Sequence, residues 1–146
     1  AAGIQSHKKS VENREMRQDC DRSKALDDLL RSQDEGFSAM LLRLIDEKGR
    51  QDVEVYKAAN VDRRTFSKIR SNQWYQPKKT TALAFAVSLH LSVEETENLL
   101  NRAGFSLTNS SKQDIIVRFF LEKGLYDIHE INIVLQAYDQ SLLGAA

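Results

Sequence analysis

The segment from Asp52 to Asn72 reads D-V-E-V-Y-K-A-A-N-V-D-R-R-T-F-S-K-I-R-S-N, and this stretch decides the fold. Apolar residues recur in it at helical spacing with a break in the middle, which predicts two short helices joined by a tight turn. The side chains expected to face the core are Val53, Val55 and Ala59 on the first helix and Phe66 and Ile69 on the second.

The predicted turn carries residue types that suit its geometry. Asn60 stands where the chain must reverse, and asparagine adopts a left-handed backbone more readily than most residues. Asp62 is a suitable N-cap for the second helix, because its carboxylate can accept hydrogen bonds from the free amides of the first turn. The outward side of that helix would carry only donors: Arg63, Arg64, Ser67, Lys68 and Arg70. A short helix with such an outer side and an apolar back is suited to the DNA major groove.

This stretch resembles the helix-turn-helix of the phage-repressor-like family of regulators (the Cro and XRE type). The resemblance covers residues 37–104. The positions in register with the family pattern are Asn60, Val61, Asp62, Phe66 and Ile69, followed by Asn72 and Pro77 in the next loop. The chain departs from the pattern at Tyr56, where the family has alanine, and at Asp52, where a glutamine commonly contacts a phosphate.

The resemblance implies a protein that binds double-stranded DNA and reads its sequence, either a transcriptional regulator or the DNA-binding module of a larger protein. The residues expected to reach base edges are Arg63, Arg64, Ser67 and Lys68. Those expected to hold phosphates are Arg70, Ser71, Asn72, Lys78 and Lys79. Because one small module binds DNA weakly, we also expect a homodimer or an upstream domain.

The distribution of charge favours the same interpretation. The 146 residues have a formal net charge of zero, which argues against a general polyanion binder. From residue 63 to residue 93 there are six basic residues and no acidic one, whereas residues 94–146 carry eight acidic residues against four basic ones. A basic patch beside an acidic half is typical of a protein that docks one face on nucleic acid, although such a run can also be a solvated face.

The N-terminal segment, residues 1–23, is dense in mixed charge and cannot form a core of its own. It is predicted to be a charged linker or tail: a solvated helix, a connection to an upstream domain, or a segment disordered until bound. Ser23 would then cap a short helix with an apolar edge, and a helical repressor-like domain would occupy residues 24–146. The edge consists of Ala25, Leu26, Leu29 and Leu30.

The remaining pattern predicts an all-α fold of about seven helices. The resemblance implies that five of them form a repressor-like core, which a two-helix extension over residues 111–143 would follow. Ser38 would cap a helix that stops at Gly49. Ser92, Ser110 and Asp127 would open later helices, each as the first residue of a capping box. Two groups of apolar residues are open to two interpretations. Trp74 and Tyr75 would be core anchors or base-stacking residues, and the side chains of the extension would complete the core or face a partner. The latter are Phe119, Phe120, Ile131 and Leu135.

Sequence motifs for chemistry are lacking. The chain has no glycine-rich phosphate loop, no H-E-x-x-H and no C-x-x-C, and Cys20 is its only cysteine. We therefore expect no enzymatic activity, no metal, no cofactor and no small-molecule substrate. Without a membrane-spanning run or a signal peptide, the expected setting is cytoplasmic. The alternative function is a protein-interaction (adaptor) module that kept the repressor-like fold inside a multidomain bacterial-type protein.

Overall fold

The computed structural model describes residues 2–144, and it describes side chains from residue 16 onward. Within that range the chain forms eight α-helices and no strand, so the predicted all-α class is confirmed. In chain order the helices are α1 Ala2–Arg31, α2 Phe37–Glu47, α3 Asp52–Ala58, α4 Arg63–Ser71, α5 Lys79–Ser88, α6 Val93–Arg102, α7 Lys112–Glu122 and α8 Ile128–Ala137.

The helix α1 and the helices α2–α8 belong to two separate compact units, with the boundary between Asp34 and Glu35. The predicted boundary at residues 23 and 24 lies inside α1, so Ser23 does not cap a helix. Of the alternatives for the charged N-terminal segment, a helix is the one observed. The side chains of Leu26, Leu29 and Leu30 on α1 are all more than half exposed, at 56%, 70% and 59%.

The second unit is built around α5, whose residues 81–88 are all buried. Three alanines in this helix, Ala82, Ala84 and Ala86, leave room for neighbouring helices to approach closely, and α3, α6 and α8 pack against it. The helix α2 packs against α4 and α6, and α7 packs against α6 and α8. The core of this unit therefore lies between the helix pair α3–α4 on one side and the last three helices on the other.

Three of the predicted helix starts are confirmed by side-chain hydrogen bonds to backbone amides: Asp62, Ser92 and Asp127 accept from the amides of Thr65, Glu95 and His129 respectively. The predicted start at Ser110 is wrong by one residue, because Ser111 is the N-cap of α7 and accepts from the amide of Asp114. The prediction for Ser38 is wrong. The backbone of Gly36 is extended and α2 begins at Phe37, so Ser38 lies inside the first turn and is buried.

The segment after α8, at Leu143 and Gly144, is tied to the α3–α4 turn. The Asn132 side-chain amide forms two hydrogen bonds with the backbone of Leu143. It accepts from the Leu143 amide at 2.8 Å and donates to the Leu143 carbonyl at 3.1 Å. Leu143 is fully buried, and a Cβ placed on Gly144 would come within 2.3 Å of the Ala59 carbonyl oxygen. Only glycine allows this close approach, so the extension packs directly behind the turn.

The apolar side chains of the extension were expected either to complete the core or to face a partner, and they do not all lie in the same place. Phe120, Ile131 and Leu135 are buried and complete the core, with at most 7% of each side chain exposed. Phe119 is 52% exposed and faces away from the core.

Candidate nucleic-acid interface

The helix α4 is held in place by its apolar side. Phe66 and Ile69 are buried as predicted. The Phe66 ring lies 5.3 Å from the ring of Tyr56 on α3 and 6.2 Å from that of Phe85 on α5, measured between centroids. Tyr56 is half-buried, and its ring covers Phe66 where the repressor-like pattern has alanine. The aromatic contacts thus fix how α4 lies against both neighbours.

The turn before α4 has the predicted geometry. Asn60 adopts a left-handed backbone with φ of 56°, and the Asp62 carboxylate accepts a hydrogen bond from the Thr65 amide at 2.8 Å. Hydrogen bonds from Thr65, through its side chain and its amide, lower the pKa of the Asp62 carboxyl, so the cap is ionised at neutral pH. One prediction for this region is wrong: Val53 is 46% exposed, because the buried side of α3 is defined by Val55.

The outer side of α4 carries the four predicted base-reading side chains, Arg63, Arg64, Ser67 and Lys68, and all of them are exposed. None of these four side chains forms a hydrogen bond or ion pair with another residue in the described part of the chain. Exposed donors without internal partners can be turned toward a ligand with little loss of existing interactions. The arrangement is therefore able to bind an electron-rich, acceptor-bearing surface.

The five predicted phosphate-binding residues differ from this group, because four of them already have internal partners. The Arg70 guanidinium pairs with the carboxylate of Asp52 and lies 5.9 Å from the Phe66 ring centroid. The Ser71 hydroxyl donates to the Lys68 carbonyl at 3.4 Å. The side-chain oxygen Oδ1 of Asn72 accepts from the backbone amide of Trp74 at 3.0 Å and so shapes the following turn.

The Arg70–Asp52 pair lines a cleft of about 450 Å³, and the cleft does not provide an anion site. Its other two arginines also have acidic partners: Arg43 pairs with Glu35 and Glu47, and Arg50 pairs with Glu54. A phosphate entering the cleft would have to displace these carboxylates. Arg70 is therefore removed from the expected phosphate contacts.

Lys79 is also excluded from the expected phosphate contacts, because its ammonium pairs with a buried carboxylate. Its ammonium lies 2.8 Å from the carboxylate of Asp114, which is completely buried. The same carboxylate accepts from the Thr108 amide at 2.9 Å and from the Thr108 hydroxyl at 3.2 Å. The expectation that Lys79 awaits an external anion at the start of α5 is thus wrong. Lys78, the N-cap residue of α5, is exposed and forms no side-chain cap hydrogen bond, so it remains an expected phosphate contact.

Trp74 and Tyr75, in the loop after α4, were expected to be either core anchors or base-stacking residues, and the structure separates the two side chains. Tyr75 is half-buried and packs against the core, as the core interpretation predicts. Trp74 is 50% exposed, and its ring lies so close to Gly36 that a Cβ added there would meet it at 3.0 Å. The core interpretation is therefore wrong for Trp74, which leaves an aromatic surface beside α4.

Sequence reasoning missed Asp114. Its backbone amide lies in the first turn of α7 and donates to the Ser111 hydroxyl at 3.3 Å. The buried ion pair joins it to Lys79, a residue 35 positions earlier in the chain. The only local signal is a carboxylate directly before the apolar pair Ile115–Ile116, which does not identify the partner.

Within residues 16–144, no three histidine, cysteine or acidic side chains lie close enough together to hold a metal ion. His90 stacks on Tyr126 with ring centroids 4.3 Å apart. No helix within residues 2–144 combines the length and the apolar character that crossing a membrane requires.

Comparisons of the chain with protein-family models, with curated proteins and with solved structures found no match.

Proposed function

We propose that the chain binds double-stranded DNA by placing α4 in the major groove, as a cytoplasmic regulator or as the DNA-binding module of a larger protein. In this proposal α2–α6 form a repressor-like core, and α3 and α4 are its helix-turn-helix. The observation that carries the proposal is the outer side of α4, where four exposed donors have no internal partner while Phe66 and Ile69 hold the opposite side in the core.

The dimensions and chemistry of α4 support the proposal. An α-helix fits the B-DNA major groove, which is about 12 Å wide. Arg63 and Arg64 lie at the start of α4, the end that usually contacts base edges in helix-turn-helix proteins. An arginine bidentate to guanine contributes about 1–3 kcal/mol of discrimination against a wrong base. Ser67 and Lys68 continue the same side one turn later.

The proposal includes few phosphate contacts. Lys78 flanks α4 with a free ammonium, whereas Arg70 and Lys79 are neutralised by Asp52 and Asp114. Asp52 also places a negative charge beside the groove-facing helix. Because each neutralised phosphate steepens the salt dependence of binding, we expect one copy to bind weakly and with a shallow dependence on salt.

The test is a fluorescence-anisotropy titration of a labelled mixed-sequence duplex at about 50 mM salt, where non-specific binding is stronger than at physiological salt. Replacing Arg63 and Arg64 together with alanine should weaken binding by about tenfold or more. The matched control replaces Arg17 and Arg22, two exposed arginines of α1, and removes the same charge. Equal losses in the two double variants, or no binding by the wild-type protein, would contradict the proposal.

The second candidate function, a protein-interaction module, is favoured by a different observation. Apolar side chains are exposed on α7 and α8, far along the chain from α4. The four donors on the outer side of α4 are not among these apolar side chains, so one chain can carry both functions.

A further inference from the structure

The exposed apolar side chains of residues 35–144 are concentrated near the C-terminal end. Eight large apolar side chains in this range are exposed, and six of them lie between residues 115 and 142. A monomeric protein rarely keeps a contiguous apolar surface unless the surface has a binding role. The six are Ile115, Phe119, Leu125, Ile133, Tyr138 and Leu142.

The outward face of α7 is a defined stripe. Lys112, Ile115, Phe119 and Glu122 follow one another at spacings of three, four and three residues, so they lie on one side of the helix. The buried residues of α7 occupy the opposite side: Asp114, Val117, Phe120 and Leu121. The stripe borders a groove of about 450 Å³, which Ile116 and Phe120 line together with Val134 of α8 and Tyr138, the residue after that helix.

The stripe is complementary to itself. The positions of Lys112 and Glu122 are centred on residue 117, and so are those of Ile115 and Phe119. If two α7 helices pack antiparallel about a two-fold axis at residue 117, each Phe119 meets an Ile115 and each Lys112 meets a Glu122. The two lysines of such a pair lie about 15 Å apart along the helix, beyond the screening length of about 8 Å at physiological salt.

The charges at the two ends of α7 are otherwise unexplained. Lys112 is the first residue of α7 and Glu122 the last, so both oppose the helix dipole. Neither forms a hydrogen bond or ion pair with another residue in the described part of the chain. A partner helix running the other way would supply each of them with the opposite charge.

The size of the surface is sufficient for a weak or moderate dimer. Ile115, Phe119 and Tyr138 are 47%, 52% and 58% exposed. Since an aromatic side chain buries about 150–250 Å², these three offer roughly 350 Å² of apolar surface. The charged ends of the stripe enlarge the patch toward the roughly 800 Å² per partner of a standard interface.

We infer that the outward face of α7 is a homodimer interface, in which two copies of the chain pack α7 against α7 antiparallel about a two-fold axis near residue 117. Each copy sets its Ile115 and Phe119 against those of the other and pairs Lys112 with Glu122. The inference does not depend on DNA binding. It also meets the need of the proposed DNA-binding protein for a second copy, because dimeric helix-turn-helix proteins bind two half-sites.

The first test is sedimentation velocity of the whole chain over a range of concentrations. We expect reversible dimerisation with a dissociation constant near the weak end of such interfaces, about micromolar. Replacing Phe119 with alanine should raise that constant by about tenfold or more. The matched control is Ile133→Ala on α8, which truncates a side chain that is 60% exposed and does not line the groove.

The second test is charge exchange. Lys112→Glu and Glu122→Lys should each weaken the dimer by about tenfold, because each change sets like charges opposite each other twice. The double variant should return to within about threefold of wild type, because every pair is restored with reversed sign. Each substitution replaces a charge that opposes the helix dipole with one that the dipole favours, so we expect all three variants to fold, which far-UV circular dichroism checks.

Three results would overturn the inference. One is a chain that stays monomeric throughout, which would leave the face to a different protein. Another is a dimer unaffected by any of these changes, and the last is a double variant as weak as the single ones.

Discussion

Replacing Lys79 with methionine should destabilise the second compact unit strongly, although the side chain lies at the surface end of α5. The change keeps the length of the side chain but leaves the Asp114 carboxylate without a cation in a fully buried position. Removing one partner of a buried pair costs about 3–5 kcal/mol. Because the Lys79 side chain is 27% exposed and Thr108 still donates to Asp114, we expect the lower end, about 3 kcal/mol.

This free energy corresponds to a large change in melting temperature. Unfolding entropy is about 2.1 cal/mol/K per residue, and with roughly 110 residues in the second unit the expected decrease in Tm is about 13 °C. Thermal denaturation followed by circular dichroism measures it. Lys78→Met is the matched control, because the neighbouring lysine is exposed and has no cap hydrogen bond. Its Tm should change by no more than about 2 °C.

The substitution Asp114→Asn shows whether the lost stability comes from the ion pair or from a simple loss of packing. In the wild-type background the substitution should destabilise the unit, whereas in the Lys79→Met background it should recover part of the loss, since it removes a buried charge without a partner. If Lys79→Met melts within about 2 °C of Lys78→Met, the Lys79–Asp114 pair does not hold α5 to α7 and the reasoning is refuted.

Three further predictions concern α4 and its surroundings. Phe66→Ala should lower the stability of the unit by about 3–5 kcal/mol, measured by urea denaturation, and an unchanged midpoint would mean that the ring is not in the core. Because the folded pKa of Asp62 is lowered, the stability contributed by its ionised cap is present at neutral pH and lost as the pH falls through that lowered pKa. The melting temperature of Asp62→Asn should therefore depend less on acid pH than that of the wild type, and identical profiles would contradict the cap. Asp52→Asn should strengthen DNA binding by about two- to fivefold in an anisotropy titration, because it frees Arg70 and removes a negative charge. Weaker binding would show that the Arg70–Asp52 ion pair positions α4 instead.

The α3–α4 pair could be predicted from the sequence because its signals are local. Asn60, Asp62 and Phe66 each act on residues within one helical turn, and all three lie as expected. Val53 was mispredicted because it is two positions from Val55, which turns its side chain about 200° around the helix from the buried side. In a helix of seven residues, too few positions exist to fix the buried side from the pattern alone.

The candidate interface was less predictable because it depends on distant parts of the chain. Lys79 has the same side chain as Lys78 and a similar local setting, yet the buried partner of Lys79 comes from α7. Arg70 likewise belongs to α4 by pattern, but Asp52 at the start of α3 neutralises it. Sequence periodicity shows which side of a helix is polar, but it does not show which polar side chains are already paired.

Nuclear magnetic resonance titration tests the central claim most directly, because it locates DNA on the surface without a prior choice of mutation. The uniformly ¹⁵N-labelled chain is mixed with a mixed-sequence duplex at about 50 mM salt, and amide shifts are followed residue by residue. We predict shifts concentrated in α4, at Lys78 and at the indole of Trp74, the only tryptophan in the chain. An unchanged spectrum, or shifts centred on α7 with α4 unaffected, would contradict the claim that α4 binds DNA.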